Sequence, residues 1–181
     1  MVTSDLGQDL QVPPNAADRA QGPADAPVTL VEYADYECPY SRLASHVVKG
    51  RLRELGDQLR FIYRNFPLRD IHPHAQQAAE AAEAAGAQGR FWAMHDLLFA
   101  HQHALDNRNL RAYAAELDLD LDRFNREIAD HRYADRIEED LAGGRRSGVR
   151  GTPTFFVNGV RHDGPSDYES LRAVLWEAMA P

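Results

Sequence analysis

The sequence holds a single cysteine, Cys38. That scarcity excludes an intrachain disulfide, so the fold has to stand on its core alone. Long apolar runs are missing as well, and no stretch approaches the roughly 18 residues of a membrane-spanning helix. Basic runs are absent: Arg145-Arg146 is only a pair, and the formal net charge is −8. This balance argues against nonspecific nucleic-acid binding and against a polybasic membrane anchor. Residues 1 to about 27 are polar and lack the positive n-region and apolar h-region of a secretory leader. The chain as written therefore reads as cytoplasmic, or as periplasmic if a signal has been removed. What is present is a chain of 181 residues, 44% hydrophobic and 27% charged. Those proportions suit one soluble domain, or one domain carrying a compact insertion.

Residues 1–26, punctuated by Pro13-Pro14 and Gly22-Pro23, read as a flexible N-terminal arm. Val28-Thr29-Leu30-Val31-Glu32-Tyr33 is β-branched and apolar, a buried strand. Cys38 follows it shortly, with Pro39 next. Leu43, Val47, Val48, Leu52 and Leu55 then recur at helical spacing, and Gly56 supplies a stop. Pro39 fits the first helical turn, so Cys38 sits at a helix N-terminus. Leu59 to Phe66 is a second strand, which gives a β-α-β unit with parallel strands. The middle is helical, with a small-residue stripe from Ala75 to Ala85 and a last helix ending at Gly143-Gly144. Thr154 to Val157 is again a strand, Asn158-Gly159 is a hairpin turn, and Val160 to His162 is the partner. Ser166 to Glu169 reads as a capping box that opens a closing helix. The order is β-α-β, helical block, β-β-α: an α/β fold with a mixed sheet, and a helical block large enough to form its own lobe.

A lone cysteine is more often a buried small hydrophobe than a catalyst. Its setting argues otherwise here. A helix N-terminus brings unsatisfied N–H groups and partial positive charge to the sulfur, which favours thiolate over thiol, and the thiolate is the nucleophile of disulfide exchange. A strand-to-helix turn is also expected to leave the sulfur exposed at the end of the sheet. Glu37, directly before Cys38, would oppose the helix dipole if it stays close. Gly151-Thr152-Pro153-Thr154 is a second feature. From spacing alone, Pro153 is better read as a trans residue entering a strand than as a cis proline. Glu32 is the one carboxylate in a mostly apolar strand; it is either a solvated edge residue or a buried acid with a raised pKa. The pairs His72/His74 and His101/His103 are spaced i, i+2 and do not face one way on a helix, so they read as surface or capping histidines. No HExxH and no second cysteine completes a metal site. Arg145, Arg146 and Arg150 read as a solvated cluster, the alternative being a site for the carboxylates of glutathione or of an acidic substrate strand.

Cys38-Pro39-Tyr40-Ser41 after LVEYADYE, His72-Pro73-His74-Ala75 opening a helix, FWAMHDLLFAHQ and GVRGTPTFFVNG together resemble the DsbA-like branch of the thioredoxin superfamily. The resemblance runs from about Pro27 to about Leu175. It implies a thioredoxin-like domain in two pieces, 27–67 and 148–181, with 68–147 as the inserted helical lobe. It also implies thiol-disulfide oxidoreductase activity with Cys38 as nucleophile, and a cis Pro153 packed on the sulfur. Pro39, Tyr40, Gly151, Thr152 and Pro153 would then contact substrate. In that branch a buried acid at the place of Glu32 assists proton transfer at the resolving thiol. Similar domains also occur fused behind bacterial sodium/proton antiporters.

The family's usual motif is Cys-x-x-Cys, and Ser41 stands at its fourth position. Ser41 cannot resolve a mixed disulfide, although its hydroxyl is placed to donate to the Cys38 thiolate. The expectation is monothiol chemistry on protein or peptide thiols and disulfides. It needs no bound cofactor, and glutathione is a candidate co-substrate. The alternatives are a redox-inactive binding or regulatory module on the same fold, and a glutathione-dependent transferase or isomerase.

Overall fold

Two apolar runs of the N-terminal half lie side by side at the centre of the molecule. In the computed structural model, which describes residues 9–180, β2 (Val28–Ala34) and β3 (Leu59–Asn65) pair in parallel. Between them runs the long helix α1 (Pro39–Leu55), which provides the crossover that parallel pairing needs. β4 (Thr154–Val157) adds to the other side of β2, antiparallel, and turns at Asn158-Gly159 into β5 (Val160–His162). The sheet order among the described residues is β1-β3-β2-β4-β5, where β1 is Arg19–Gln21. β2 and β4 are buried along nearly their whole length, as strands covered on both faces must be. Each large core side chain there, such as Leu30 or Phe156, contributes about 1.5–3 kcal/mol by leaving water.

The helices follow as α2 (Ala75–Gly86), α3 (Phe91–Ala100), α4 (Asn107–Glu116), α5 (Leu121–Ala129), α6 (Ala134–Arg146) and α7 (Tyr168–Met179). The alanines of α2 are buried, and the small stripe lets α3 and α5 approach it closely. Gly143-Gly144 does not end α6, which runs on to Arg146. The glycines serve close approach instead: a Cβ on Gly144 would lie 2.8 Å from the Phe66 ring and 3.0 Å from that of Tyr33. α6 therefore sits directly on the sheet, at the seam between the helical block and the strands. The closing helix is capped by Asp167, not Ser166, because the Asp167 carboxylate reaches the Ser170 N–H at 2.9 Å.

The expected flexible arm is corrected over its described part; residues 1–8 lie outside the described residues. Residues 9–26 are tied down by polar contacts that hydrophobic periodicity does not register. Leu10 donates its N–H to the Gly159 carbonyl, and β1 pairs antiparallel with β3. Arg64, on β3, is the anchor. Its guanidinium donates to both Asp18 carboxylate oxygens at 2.9 and 3.0 Å and to the carbonyls of Val12 and Pro13. Burial works against this cation, yet the Asp18 hydrogen bond and charge outweigh it, so the Arg64 pKa is raised. Consecutive β2 residues serve opposite faces. Glu32 turns toward α1 and α3, while Tyr33 turns toward α6 and meets it at Gly143 and Gly144.

Candidate active site

Cys38 is the N-cap of α1. Its backbone is extended (φ −76°, ψ 121°), and Pro39 occupies the first helical turn, where a missing N–H costs nothing. The Sγ–H donates to the Thr152 carbonyl at 3.3 Å, and the Thr152–Pro153 peptide bond is cis. Cys38 thus lies against the Gly151–Thr152–Pro153 turn that leads into β4. The expected exposure is corrected: Cys38 is only 4% exposed, whereas Tyr40 is 67% exposed and Pro39 also faces solvent. The turn at Thr152 closes over the sulfur from one side. From behind, Gln102 Nε2 donates to the carbonyls of both Tyr36 and Cys38 at 2.8 Å.

Ser41 is completely buried, and its Oγ accepts the N–H of Asp35 at 3.3 Å. The hydroxyl is thus turned to the backbone just past the end of β2, and no hydrogen bond joins it to the Cys38 sulfur. Glu32 is a buried acid rather than a solvated one, at 1% exposure, and its Oε1 has no hydrogen-bond partner. Burial pushes its carboxyl up to about 8. No hydrogen bond links Glu32 to Cys38 or Ser41; it faces a cavity between α1 and α3 that Cys38 does not line.

The loop carrying the thiol is held by two carboxylates. Asp35 accepts the N–H groups of Glu37 and Leu68 and pairs with His72 Nδ1 at 2.8 Å. Glu37 turns away from the sulfur, accepting the His74 N–H at 2.7 Å and pairing with His74 Nδ1 at 3.1 Å. His72 and His74 therefore pin the thiol loop to the start of α2, and the i, i+2 spacing works because they lie ahead of the helix. Arg145, Arg146 and Arg150 are exposed, as a solvated cluster would be. Among the described residues no group of three or more His, Cys, Asp or Glu side chains is placed to hold a metal.

A family model described as Thioredoxin matches residues 15–177. The chain belongs to the thioredoxin family. Among the described residues, its five-stranded sheet and seven α-helices follow the thioredoxin fold of DsbA-type solved structures. The thioredoxin-like oxidoreductase from Silicibacter pomeroyi DSS-3 is 28% identical, with a TM-score of 0.80 over 91% of this chain and 93% of that one. Alpha-DsbA1 from Wolbachia pipientis shares the fold at a TM-score of 0.77 and 24% identity, covering 92% of each chain. In sequence, this thioredoxin domain is 53% identical over 173 residues to a protein named Na(+)/H(+) antiporter NhaA 1 from Salinispora arenicola. The match takes in 95% of this chain and 26% of that protein, so the chain spans about a quarter of the length of such relatives.

Asp35 and Gln102 escaped sequence reasoning, as did the pairing of Glu37 with His74. Gln102 lies within the FWAMHDLLFAHQ segment, but its contact is with residues 36 and 38 across the fold, and spacing cannot reveal that. Asp35 and Glu37 carried a signal, since two acids flank Tyr36 immediately before the cysteine. Their histidine partners lie 37 residues further on.

Proposed function

We propose that this domain is a monothiol thiol-disulfide exchange protein with Cys38 as its nucleophile. The carrying observation is the placement of Sγ at the N-cap of α1, 3.3 Å from the Thr152 carbonyl beside Pro153. The helix N-terminus stabilises negative charge on the sulfur, and the Thr152–Pro153 turn offers backbone to an extended substrate segment. In the reaction, the Cys38 thiolate attacks one sulfur of a substrate disulfide. A mixed disulfide with Cys38 forms, and the departing thiolate takes a proton from solvent. Ser41 offers no second thiol, so a separate thiol, glutathione or a protein cysteine, attacks the mixed disulfide and returns Cys38 as thiolate. Gly151, Thr152 and Pro153 line the approach to the sulfur, and the exposed Pro39 and Tyr40 contact the substrate flank.

Incubation of the full chain with glutathione disulfide, followed by intact-mass analysis, tests this. The expected product is one glutathionyl adduct on Cys38, removed by excess reduced glutathione and absent in Cys38→Ala. A chain that takes up no adduct while native, but does so once unfolded, would place Cys38 among inert buried thiols. That outcome would favour the redox-inactive binding module, to which the low exposure of Cys38 is the pointer.

A further inference from the structure

The cavity under Glu32 is a separate site. Its walls come from α1 (Ser45, Val48, Lys49), α3 (Trp92, His95, Asp96) and the sheet (Gln21, Glu32, Phe61). Cys38, Ser41 and the Gly151–Thr152–Pro153 turn do not line it. Its volume is about 240 Å³, below the roughly 300 Å³ at which pockets for drug-sized ligands begin, so an occupant is small. At its base Glu32 presents a carboxyl oxygen with no hydrogen-bond partner, although the residue is 99% buried by its 1% exposure. A buried acceptor left open in this way marks a missing partner. The Phe61 and Trp92 rings, 5.7 Å apart at a tilt of 46°, add to its wall aromatic surface of the kind that attracts cations.

We propose that this cavity binds a small organic cation, an ammonium or guanidinium group on a short apolar stem, with the Glu32 carboxylate as its counter-ion. The charges around it permit this. On α3, burial keeps His95 uncharged at neutral pH, with Lys49 adding to the effect, because its pKa is lowered to about 3. Also on α3, Asp96 pairs with Lys49 of α1 at 2.7 Å, which offsets part of the cationic charge at the rim. Arg53, further along α1, opposes the ligand, as does what remains of the Lys49 charge. From the sheet side, Tyr63 of β3 and Tyr36 of the thiol loop remain neutral, both titrating well above their usual range through burial. Binding below pH 8 converts the Glu32 carboxyl to carboxylate and releases its proton to solvent.

Calorimetry on the full chain with n-butylammonium and n-butylguanidinium, against butyrate and n-butanol, tests the site. The expected result is saturable one-to-one binding of a cation. Affinity should rise about tenfold per pH unit up to about pH 8 and level off above it, with one proton released per ligand below that pH. Glu32→Gln should weaken binding at least tenfold and abolish the proton release. Trp92→Leu should weaken it without changing the proton count, which keeps the test alive if the first variant folds poorly. Cys38→Ala should bind as the wild type does, so failure here is separable from failure of the thiol chemistry. An Nα-acetyl-arginine methylamide probe alongside agmatine distinguishes a side chain offered by a partner protein from a free amine. Butyrate binding as tightly, pH-independent affinity, or no saturable binding of either cation would overturn the proposal and leave the cavity to water.

Discussion

Replacing Glu32 by glutamine removes a titration that burial makes costly. The carboxyl moves from its ordinary value of 4.5 up to about 8 in the folded chain. Between those values the folded chain holds a proton that the unfolded chain has released, so stability falls as pH rises. At about 1.4 kcal/mol per pH unit, the loss is complete above pH 8 and reaches about 5 kcal/mol, absent below pH 4.5. This is a large share of the roughly 5–15 kcal/mol that holds a typical domain together. Two other groups act in the same range. Burial lowers His95 from 6.5 to about 3, with Lys49 adding to it, so its contribution is present above pH 6.5 and is lost as pH falls toward 3. Asp140 is raised from 3.8 to about 7, burial outweighing the Arg136 charge, and it acts with the sign of Glu32. The wild-type curve is therefore composite, and the difference between wild type and Glu32→Gln is the diagnostic quantity. Urea unfolding followed by circular dichroism at pH 5, 6, 7, 8 and 9 measures it. The variant should gain progressively on the wild type from pH 5 to pH 8, with a constant gap thereafter. A gap that stays constant from pH 5 to pH 8 would refute the reasoning, since Glu32 would then titrate alike in both states.

Ser41→Cys places a second thiol one helical turn from Cys38; the oxidised variant is expected to lose two hydrogens in intact mass and to gain insulin-reducing activity with dithiothreitol. Gly144→Ala drives a methyl toward Phe66 and Tyr33, and should lower stability by about 1–3 kcal/mol in urea unfolding. Asp18→Ala strips the buried Arg64 cation of its bidentate partner and should cost about 3–5 kcal/mol, read as a fall in melting temperature, whereas Asp18→Ala with Arg64→Met should recover part of it. Gln102→Ala frees the carbonyls of Tyr36 and Cys38 and should speed alkylation of Cys38 several-fold with little change in secondary structure.

The strands and the thiol's helix were legible because their signals are local. Alternating or continuous apolar residues mark β2 to β4, and proline after cysteine marks the start of α1. The Asn158-Gly159 turn fixed both strands of the hairpin for the same reason. The N-terminal segment was misread because Arg64 holds it by hydrogen bonds to backbone and to Asp18, a contact spanning 46 residues that leaves no periodic trace. Gly143-Gly144 was misread because glycine has two uses, ending helices and admitting neighbours, and only the position of Phe66 decides between them. At the site, Cys38 and the Thr152–Pro153 turn were found through motif. Ser41's bond to Asp35 depends on a rotamer, and the burial of Cys38 depends on how the turn at Thr152 folds over it.

The hydrogen bond from Leu10 to Gly159 decides where the domain can be tethered. Gly159 is at the hairpin end of β4, and Thr152, beside the sulfur, is at the other. At about 3.3 Å per residue the two ends lie roughly 20 Å apart. A polypeptide or support joined directly at residue 9 therefore starts from the pole opposite the nucleophile. A fusion partner on that side keeps clear of the Cys38 pole, like a tool held by its handle.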